Sequence, residues 1–242
     1  MDVHFHGLHY RLTGRLSPTL QRIRPTARLV IVTKLALWCV LAAVPAFAAD
    51  AKLDSVLKSV ENRYNRAQSL RLTFTETYKT HQRADQVESG ILSLRKPGKM
   101  RWDYSSPAGK LFVSDGKNVF LYNPETPKQV EHSTMKDTED MRAPLAFLLG
   151  KLNFYKEFRS FLLRPEGVDT WIVAEPNSDK VPYSKVEFLV TADARIRRLR
   201  VVGQDRSIMD FQFDQEKLNL PFDAKLFTFQ PPPGVQVVEG EQ

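Results

Sequence analysis

The stretch that decides the fold is LFVSDGKNVFLYNP, at residues 111–124. Two short runs rich in aromatic and β-branched residues flank Asp115-Gly116. An Asp-Gly pair between such runs is a strong signal for a β-hairpin with a type I′ turn. That turn would pair Val113 with Asn118 and Leu111 with Phe120. Both faces of the hairpin would then be apolar, with Leu111, Val113, Phe120 and Tyr122 on one face and Phe112, Val119 and Leu121 on the other.

An antiparallel sheet commonly exposes one polar face to water. Because both faces of this hairpin are apolar, the second face needs a cover. The candidate cover is DTEDMRAPLAFLLG, at residues 137–150. Pro144 suits a first helical turn, Gly150 suits a C-cap, and the residues between them are apolar on every side, which is typical of a buried helix. This helix is predicted to cover the sheet, with an ordinary core helix as the alternative. The space beneath it is either filled by side chains or open for an apolar ligand.

The rest of the chain shows one helical stripe and then strand-like alternation. Residues 53–64 carry an apolar stripe behind Asp50, a potential N-cap, and predict a helix of about four turns. From Leu70 the period changes to two. Besides the hairpin, strands are predicted at residues 70–77, 90–94, 100–104, 171–174, 185–191, 196–202, 207–213 and 226–229. Short strands without βαβ alternation indicate a mainly β (α+β) protein built on an antiparallel sheet or barrel.

The N-terminal segment, residues 1–48, resembles an export signal. Basic residues precede an apolar core at residues 35–44, and Ala46-Phe47-Ala48 matches a small-x-small cleavage site. A membrane-spanning helix is the competing interpretation. However, Lys34 interrupts the apolar run, and the uncharged part is short for a bilayer of about 30 Å. Cleavage after Ala48 is predicted, which leaves residues 49–242 as a single exported domain.

Composition argues against a nucleic-acid-binding protein and against a lipid-anchored or disulfide-bonded one. Residues 1–48 contain six of the 35 Lys/Arg and one of the 28 Asp/Glu, so residues 49–242 keep 29 basic against 27 acidic residues, a net charge of +2. Nucleic-acid binding would need a basic stripe on the folded domain and is not expected. The only cysteine, Cys39, lies in the predicted signal, and the bulky Trp38 before it does not suit lipidation. The product is therefore expected to be soluble and without disulfides.

Residues 49–242 contain no recognisable catalytic or metal-binding motif. His81 and His132 lie in polar, loop-like stretches. Ser114 and Asp115 lack the strained strand-to-helix elbow that a serine nucleophile needs. We therefore expect no enzymatic activity, no cofactor and no metal site.

Taken together, several blocks resemble the LolA family, the periplasmic carriers of outer-membrane lipoproteins. The resemblance spans residues 49–242 in the family's order and begins with a helix. The blocks that follow are LRLTFTETY (70–78), GILSLRKPGKMRWDYSSP (90–107), LFVSDGKNVFLYNP (111–124), APLAFLLG (143–150) and AKLFTFQPPPGVQVVE (224–239). Any one of these blocks would be weak alone, but the combination is fairly specific.

The resemblance implies an incomplete antiparallel β-barrel with a helical lid over a hydrophobic cavity. Family members receive acylated lipoproteins from an inner-membrane ABC transporter, shield the acyl chains, and pass them to an outer-membrane acceptor lipoprotein. The expected protein is thus a periplasmic, monomeric chaperone. Two alternatives with the same fold stay open at this point, namely a carrier of a non-protein lipid or glycolipid and a regulatory module that senses lipoproteins.

The alternation and the resemblance together name a candidate site. The predicted cavity lining is Leu92, Leu94, Met100, Trp102, Leu111, Val113, Phe120 and Tyr122, and the predicted lid residues are Leu145, Phe147, Leu148 and Leu149. Each strand residue fits a plain core position equally well. In the family, an Arg directly before the Pro of the 96–102 block helps to hold the lid closed. Lys96 takes that position here, and Arg95 should face the other way. Lys96, with Arg95 as the less suitable neighbour, is the candidate latch.

Overall fold

A computed structural model describes residues 44–125, 129–134 and 152–239, with side chains from Asp50 onward. Most of the predicted signal and the whole predicted lid helix lie outside the described residues, including Leu145, Phe147, Leu148 and Leu149. Helix α1 runs from Val44 to Arg66. It therefore begins before Asp50, and the prediction that Asp50 caps its start is wrong. None of the described helices is long and apolar enough to span a membrane.

The protein is built on one curved, open sheet of twelve strands, which confirms the predicted mainly β fold of an incomplete barrel. Its spatial order is β12-β6-β5-β4-β3-β2-β1-β11-β10-β9-β8-β7. The strands are β1 Ser69–Lys79, β2 Gln86–Arg95, β3 Lys99–Ser106, β4 Leu111–Asp115, β5 Asn118–Tyr122, β6 Gln129–Thr134, β7 Phe158–Glu166, β8 Asp169–Pro176, β9 Tyr183–Val190, β10 Ile196–Gly203, β11 Ile208–Leu218 and β12 Gln236–Glu239. Neighbouring strands pair antiparallel except β12 and β6, which pair parallel.

Three of these strands, β6, β7 and β12, were not predicted, and one predicted strand is absent. His132 accordingly lies in β6 and not in a loop. Residues 226–229 do not form a strand, because Ala224–Phe227 is a short 3-10 helix. The Asp223 side chain caps that helix by accepting a hydrogen bond from Lys225 N at 2.9 Å. A second short helix, α2 (Phe154–Glu157), precedes β7 and is capped by Asn153.

The β4–β5 hairpin forms, but its turn differs from the predicted type I′ turn. Val113 pairs with Phe120, so the two residues between the strands are Gly116 and Lys117. Gly116 supplies the positive φ of +99°, and the Asp115 carboxylate accepts hydrogen bonds from the backbone N–H groups of Lys117 and Asn118, both at 2.8 Å. The register therefore moves by two residues. A shift of two keeps every side chain on its predicted face of the hairpin.

Each face of the sheet has its own cover within this chain. Leu57, Val60 and Tyr64 of α1 are buried in one core with residues of β1–β5 and β7–β11. We call the face that packs against α1 the inner face. On the opposite, outer face, the C-terminal segment (residues 219–235) packs over β3 and β4 through its 3-10 helix. The sequence predicts one cover for a second apolar face. The described residues show two covers, α1 on the inner face and the C-terminal segment on the outer face.

Candidate functional site

The inner face of β1–β5 is a continuous apolar wall set by strand register. One cross-strand row contains Leu72, Leu92, Trp102, Phe112 and Leu121, each paired with the next. The neighbouring row continues from Leu94 through Met100 and Ser114 to Val119. Because paired residues on adjacent strands point to the same face, these two rows form one surface.

The eight residues predicted to line one cavity do not lie on one surface. Leu92, Leu94, Met100 and Trp102 lie on the inner face and are 0–5% exposed. Leu111, Val113, Phe120 and Tyr122 lie on the outer face, because Val113 pairs with Arg101 and Leu111 pairs with Asp103. Phe112, Val119 and Leu121 take the inner-face positions instead. The sequence predicts the alternation within each strand, but the pairing of β3 with β4 decides which residues of the two strands share a face.

The C-terminal segment of the same chain packs on the apolar residues of the outer face. Phe227 of the C-terminal segment is 1% exposed, and Phe229 stacks on Phe120 with ring centroids 5.1 Å apart. Arg101 Nη1 donates to Leu226 O at 3.2 Å, and Arg95 Nη1 donates to Phe222 O at 3.2 Å. This patch therefore serves to hold the C-terminal segment, which leaves the inner face as the candidate site.

An aromatic cluster lies at one end of the inner face. The Phe74 ring contacts Trp102 edge to face at 4.7 Å, and Trp102 lies 6.0 Å from Phe211. The indole N–H of Trp102 donates to Met100 Sδ at 2.8 Å, which satisfies it without a polar neighbour. Tyr104 and Leu121 pack against this core but are only partly buried. The apolar wall therefore reaches solvent here, and sequence reasoning missed Phe74, Tyr104 and Phe211 because no motif marks them.

Lys96 binds the C-terminal end of α1. Its Nζ donates to Tyr64 O at 2.7 Å and to Asn65 O at 3.3 Å, two carbonyls that the helix leaves without an intrahelical partner. Partial burial lowers the pKa of the Lys96 ammonium. Arg95 points to the outer face, as strand alternation predicts. A contact between Lys96 and the predicted lid residues would lie outside the described ranges.

A second set of polar contacts fixes α1 to strands β10 and β11. Arg63 Nη2 pairs with Glu216 Oε1 of β11 at 2.6 Å, and Tyr64 OH donates to Glu216 Oε2 at 2.6 Å. The same hydroxyl accepts the Ile196 N–H at 2.9 Å. Burial, and then the Glu216 carboxylate, raise the pKa of Tyr64. The helix is thus attached both to the end of β2, through Lys96 directly after that strand, and to β10–β11.

Neither histidine of residues 49–242 belongs to this wall. The two ring nitrogens of His132 lie 3.2 Å from Glu239 Oε1 and 3.2 Å from Asn118 Oδ1, at the β6–β12 edge. His81 lies beside a polar cleft of about 340 Å³ at the tips of the β1–β2 and β10–β11 hairpins. Across the described parts of the chain, no three His, Cys, Asp or Glu side chains are grouped to hold a metal ion.

The family model described as outer membrane lipoprotein carrier protein LolA matches residues 65–230. The chain belongs to the LolA family. Among its LolA relatives, the outer-membrane lipoprotein carrier protein of Bordetella avium is 30% identical over 213 residues, which cover 86% of this chain and 98% of the relative. The protein of the same description from Pseudomonas aeruginosa is 28% identical over 203 residues, covering 81% and 94%.

Solved structures match this chain at lower sequence identity. A LolA superfamily protein from Nitrosomonas europaea matches with a TM-score of 0.42 and 11% identity, over 73% of this chain and 97% of that chain. The Mycobacterium tuberculosis lipoprotein LppX matches with a TM-score of 0.44 and 11% identity, over 73% and 100%.

Proposed function

We propose that this LolA-family protein is a periplasmic chaperone that binds the acyl chains of lipoproteins released from the inner membrane and carries them to the outer membrane. The observation that carries the proposal is the inner face. It is an apolar wall that runs over five strands without a charged side chain in its two rows and becomes partly exposed at Tyr104 and Leu121. The names of the curated relatives support the same function.

The energetics fit such a carrier. Each buried CH₂ contributes about 0.8 kcal/mol, so one sixteen-carbon chain in water is unfavourable by on the order of 10 kcal/mol. A carrier must therefore offer a long apolar surface that does not collapse when empty. The inner face meets this need because its strand backbone is fixed by the sheet, while α1 packs on it mainly through side chains such as Leu57 and Val60.

Within this proposal, the acyl chains contact Leu92, Leu94, Met100 and Trp102, joined by Phe112 and Leu121. The helix predicted at residues 144–149 acts as a lid, with Leu145, Phe147, Leu148 and Leu149 as its apolar residues. Lys96, which also holds the C-terminal carbonyls of α1, is the proposed latch of this lid. Leu111, Val113, Phe120 and Tyr122 have no role in acyl-chain binding, because the C-terminal segment covers their face.

The proposed partners follow from the transport task. An inner-membrane lipoprotein-releasing ABC transporter loads the protein, and an outer-membrane acceptor lipoprotein unloads it. The carrier acts as an exported monomer in the periplasm. It catalyses no reaction and needs no cofactor, since transfer between apolar sites requires no covalent step. The export signal predicted at residues 1–48 supports this location.

Depletion of the protein in its own host, followed by separation of inner and outer membranes, tests the function. Outer-membrane lipoproteins should accumulate in the inner membrane. Their normal arrival at the outer membrane would contradict the proposal. Mass spectrometry of ligands that copurify with the mature chain separates the alternatives, because a glycolipid or other non-protein lipid in place of acylated protein would indicate a lipid carrier of the same fold.

A further inference from the structure

Three polar side chains along one face of α1 bind three residues of one short segment, Leu152, Phe154 and Tyr155. Asn65 Nδ2 donates to Leu152 O at 2.8 Å, and Leu152 N donates back to Asn65 Oδ1 at 2.6 Å. Glu61 Oε1 accepts the Phe154 N–H at 2.8 Å. Tyr155 OH donates to Asp54. We call this set of contacts the α1 seam.

The spacing of the seam residues suits a helix face. Asp54, Glu61 and Asn65 are seven and four residues apart, which places them on one side of the helix. Their partners run in the opposite direction along residues 152–155. The seam therefore extends over about three turns of α1 and is not a single local contact.

The side-chain amide of Asn65 can satisfy both backbone polar groups of Leu152. An amide side chain offers one acceptor and a donor group, so it can bind both the N–H and the C=O of a single residue, as a neighbouring strand would. Leu152 is 1% exposed and Phe154 is 0% exposed. Without Asn65, the Leu152 backbone groups would face a largely apolar surrounding with both hydrogen bonds lost.

The segment held by the seam closes the core at the opposite end from the aromatic cluster. Phe154 packs edge to face on Phe188 with centroids 5.4 Å apart, and Phe158 packs on the same ring at 5.9 Å. If residues 152–155 left α1, these rings and the apolar core behind them would meet water. Because α1 is itself fixed to the sheet by Lys96 and Glu216, the seam connects residues 152–155 to two further places on the sheet.

We propose that Asn65 is a positioning residue that keeps residues 152–155 on α1 while an acyl chain occupies the inner face. This inference rests on the proposed function. Loading then proceeds without separating these two elements, and the bound chain stays protected from water at this end of the core. Asn65 touches no cargo and acts only through Leu152.

Hydrogen exchange of the mature wild-type protein tests the inference directly. The probe is a peptide with two palmitoyl chains and a fluorophore on its peptide part. The amides of Leu152, Phe154 and Lys156 should stay as protected with the probe bound as without it. Faster exchange at residues 152–158 on loading would overturn the inference while the proposed function stands. Failure of the wild type to bind the probe would overturn both.

Variants give a second readout that a merely structural role would not produce. Asn65→Leu should raise the probe dissociation rate by about tenfold or more, since two hydrogen bonds to buried backbone groups are lost. Asn65→Asp keeps the acceptor and loses the donor, so its effect should be intermediate. Asn153→Ala is the matched control, because it removes the α2 cap (Oδ1 to Lys156 N, 3.1 Å) without touching the seam.

The control variant should lose stability but keep the wild-type dissociation rate within about twofold. An equal rise in Asn153→Ala, or an unchanged rate in Asn65→Leu, would overturn the inference. If Asn65→Leu does not fold, the comparison of wild type with Asn65→Asp and the exchange measurement still decide between these outcomes.

Discussion

Phe74 and Tyr104 lie on strands separated by β2, yet their ring centroids are 5.2 Å apart. The residue between them in the cross-strand row is Gly90, which pairs with both. A Cβ at this position would lie 2.1 Å from Asp103 O, so the backbone of β3 also approaches β2 closely here. The missing side chain at Gly90 therefore lets the two rings meet across a strand and build the partly exposed end of the inner face.

Replacing this glycine tests that relationship. Gly90→Ala should lower the free energy of unfolding by about 1–3 kcal/mol, because the new methyl group meets backbone atoms that cannot move away. Urea unfolding followed by tryptophan fluorescence would measure the loss. Gly167→Asn is the control, since nothing lies within 4 Å of its Cβ position and Asn tolerates its φ of +61°. A loss in Gly90→Ala no larger than in the control would contradict the close approach.

The assignment of faces is tested by two adjacent residues on β5. Leu121 lies on the inner face and Phe120 on the outer face, and both are partly buried. Leu121→Gln should weaken binding of the palmitoylated probe by about tenfold, because it removes apolar contact surface. Phe120→Gln should leave the affinity within about twofold and instead lower stability, since it loses the stack on Phe229. A reversed pattern in fluorescence titrations would show that cargo binds the outer face.

Lys96 offers a test of how α1 is held. Lys96→Met should lower the free energy of unfolding by about 1–2 kcal/mol, because the carbonyl groups of Tyr64 and Asn65 lose a charged donor. It should also speed release of the acyl probe, since α1 is less firmly attached to β2. Lys96→Arg restores a cation and donors and should recover most of both properties. Equal effects of the Met and Arg variants would indicate that side-chain packing, not hydrogen bonding, holds the helix end.

Phe147→Asp remains a prediction from sequence about the lid. A carboxylate on a helix that is otherwise apolar should disfavour its burial against cargo and weaken acyl-chain binding, while the twelve-stranded sheet still folds. Circular dichroism would check the fold, and probe titration would check binding. Unchanged affinity would remove Phe147 from the proposed lid.

Stability at low pH should depend on Asp210. Arg198 donates to its carboxylate at 2.6 and 2.7 Å, and Arg200 Nη2 donates at 3.1 Å. Burial acts to raise the pKa of Asp210, but the two guanidinium groups outweigh it and hold the pKa below its usual value. Because the folded-state pKa is the lower one, the ionised carboxylate stabilises the fold above about pH 4. That contribution is lost as the pH falls through the folded-state pKa.

The variant Asp210→Asn should therefore be less stable than wild type at neutral pH, by about 1–2 kcal/mol after allowance for partial solvent exposure. Its stability should then fall less steeply with acid. Urea unfolding at a series of pH values would measure both. Asp179→Asn, which alters an exposed carboxylate paired with Arg159 at 2.9 Å, should follow the wild-type curve. Parallel curves for wild type and Asp210→Asn would contradict the assignment.

Most of the strands could be predicted from the sequence, but the set of residues that share the inner face could not. The alternation of Met100, Trp102 and Tyr104 is visible in the chain, and so is that of Leu111 and Val113. Whether these two sets share a face depends on the pairing of Trp102 with Phe112. A slip of one residue moves a whole strand's side chains to the other face, and the β3–β4 connection carries no signal that fixes the register.

The sequence by itself determined much of the local structure, because helical and strand periodicities and turn residues such as Gly116 act over a few residues. It also carried enough family-specific blocks to indicate a lipoprotein carrier. Only the tertiary structure decided which apolar residues face α1, that the C-terminal segment fills the outer face, and that Asn65 and Lys96 meet backbone groups far away in the chain. Such contacts join residues that are far apart in the chain, 127 positions for Arg95 and Phe222 and 153 positions for Arg63 and Glu216, and no local pattern encodes such a pairing.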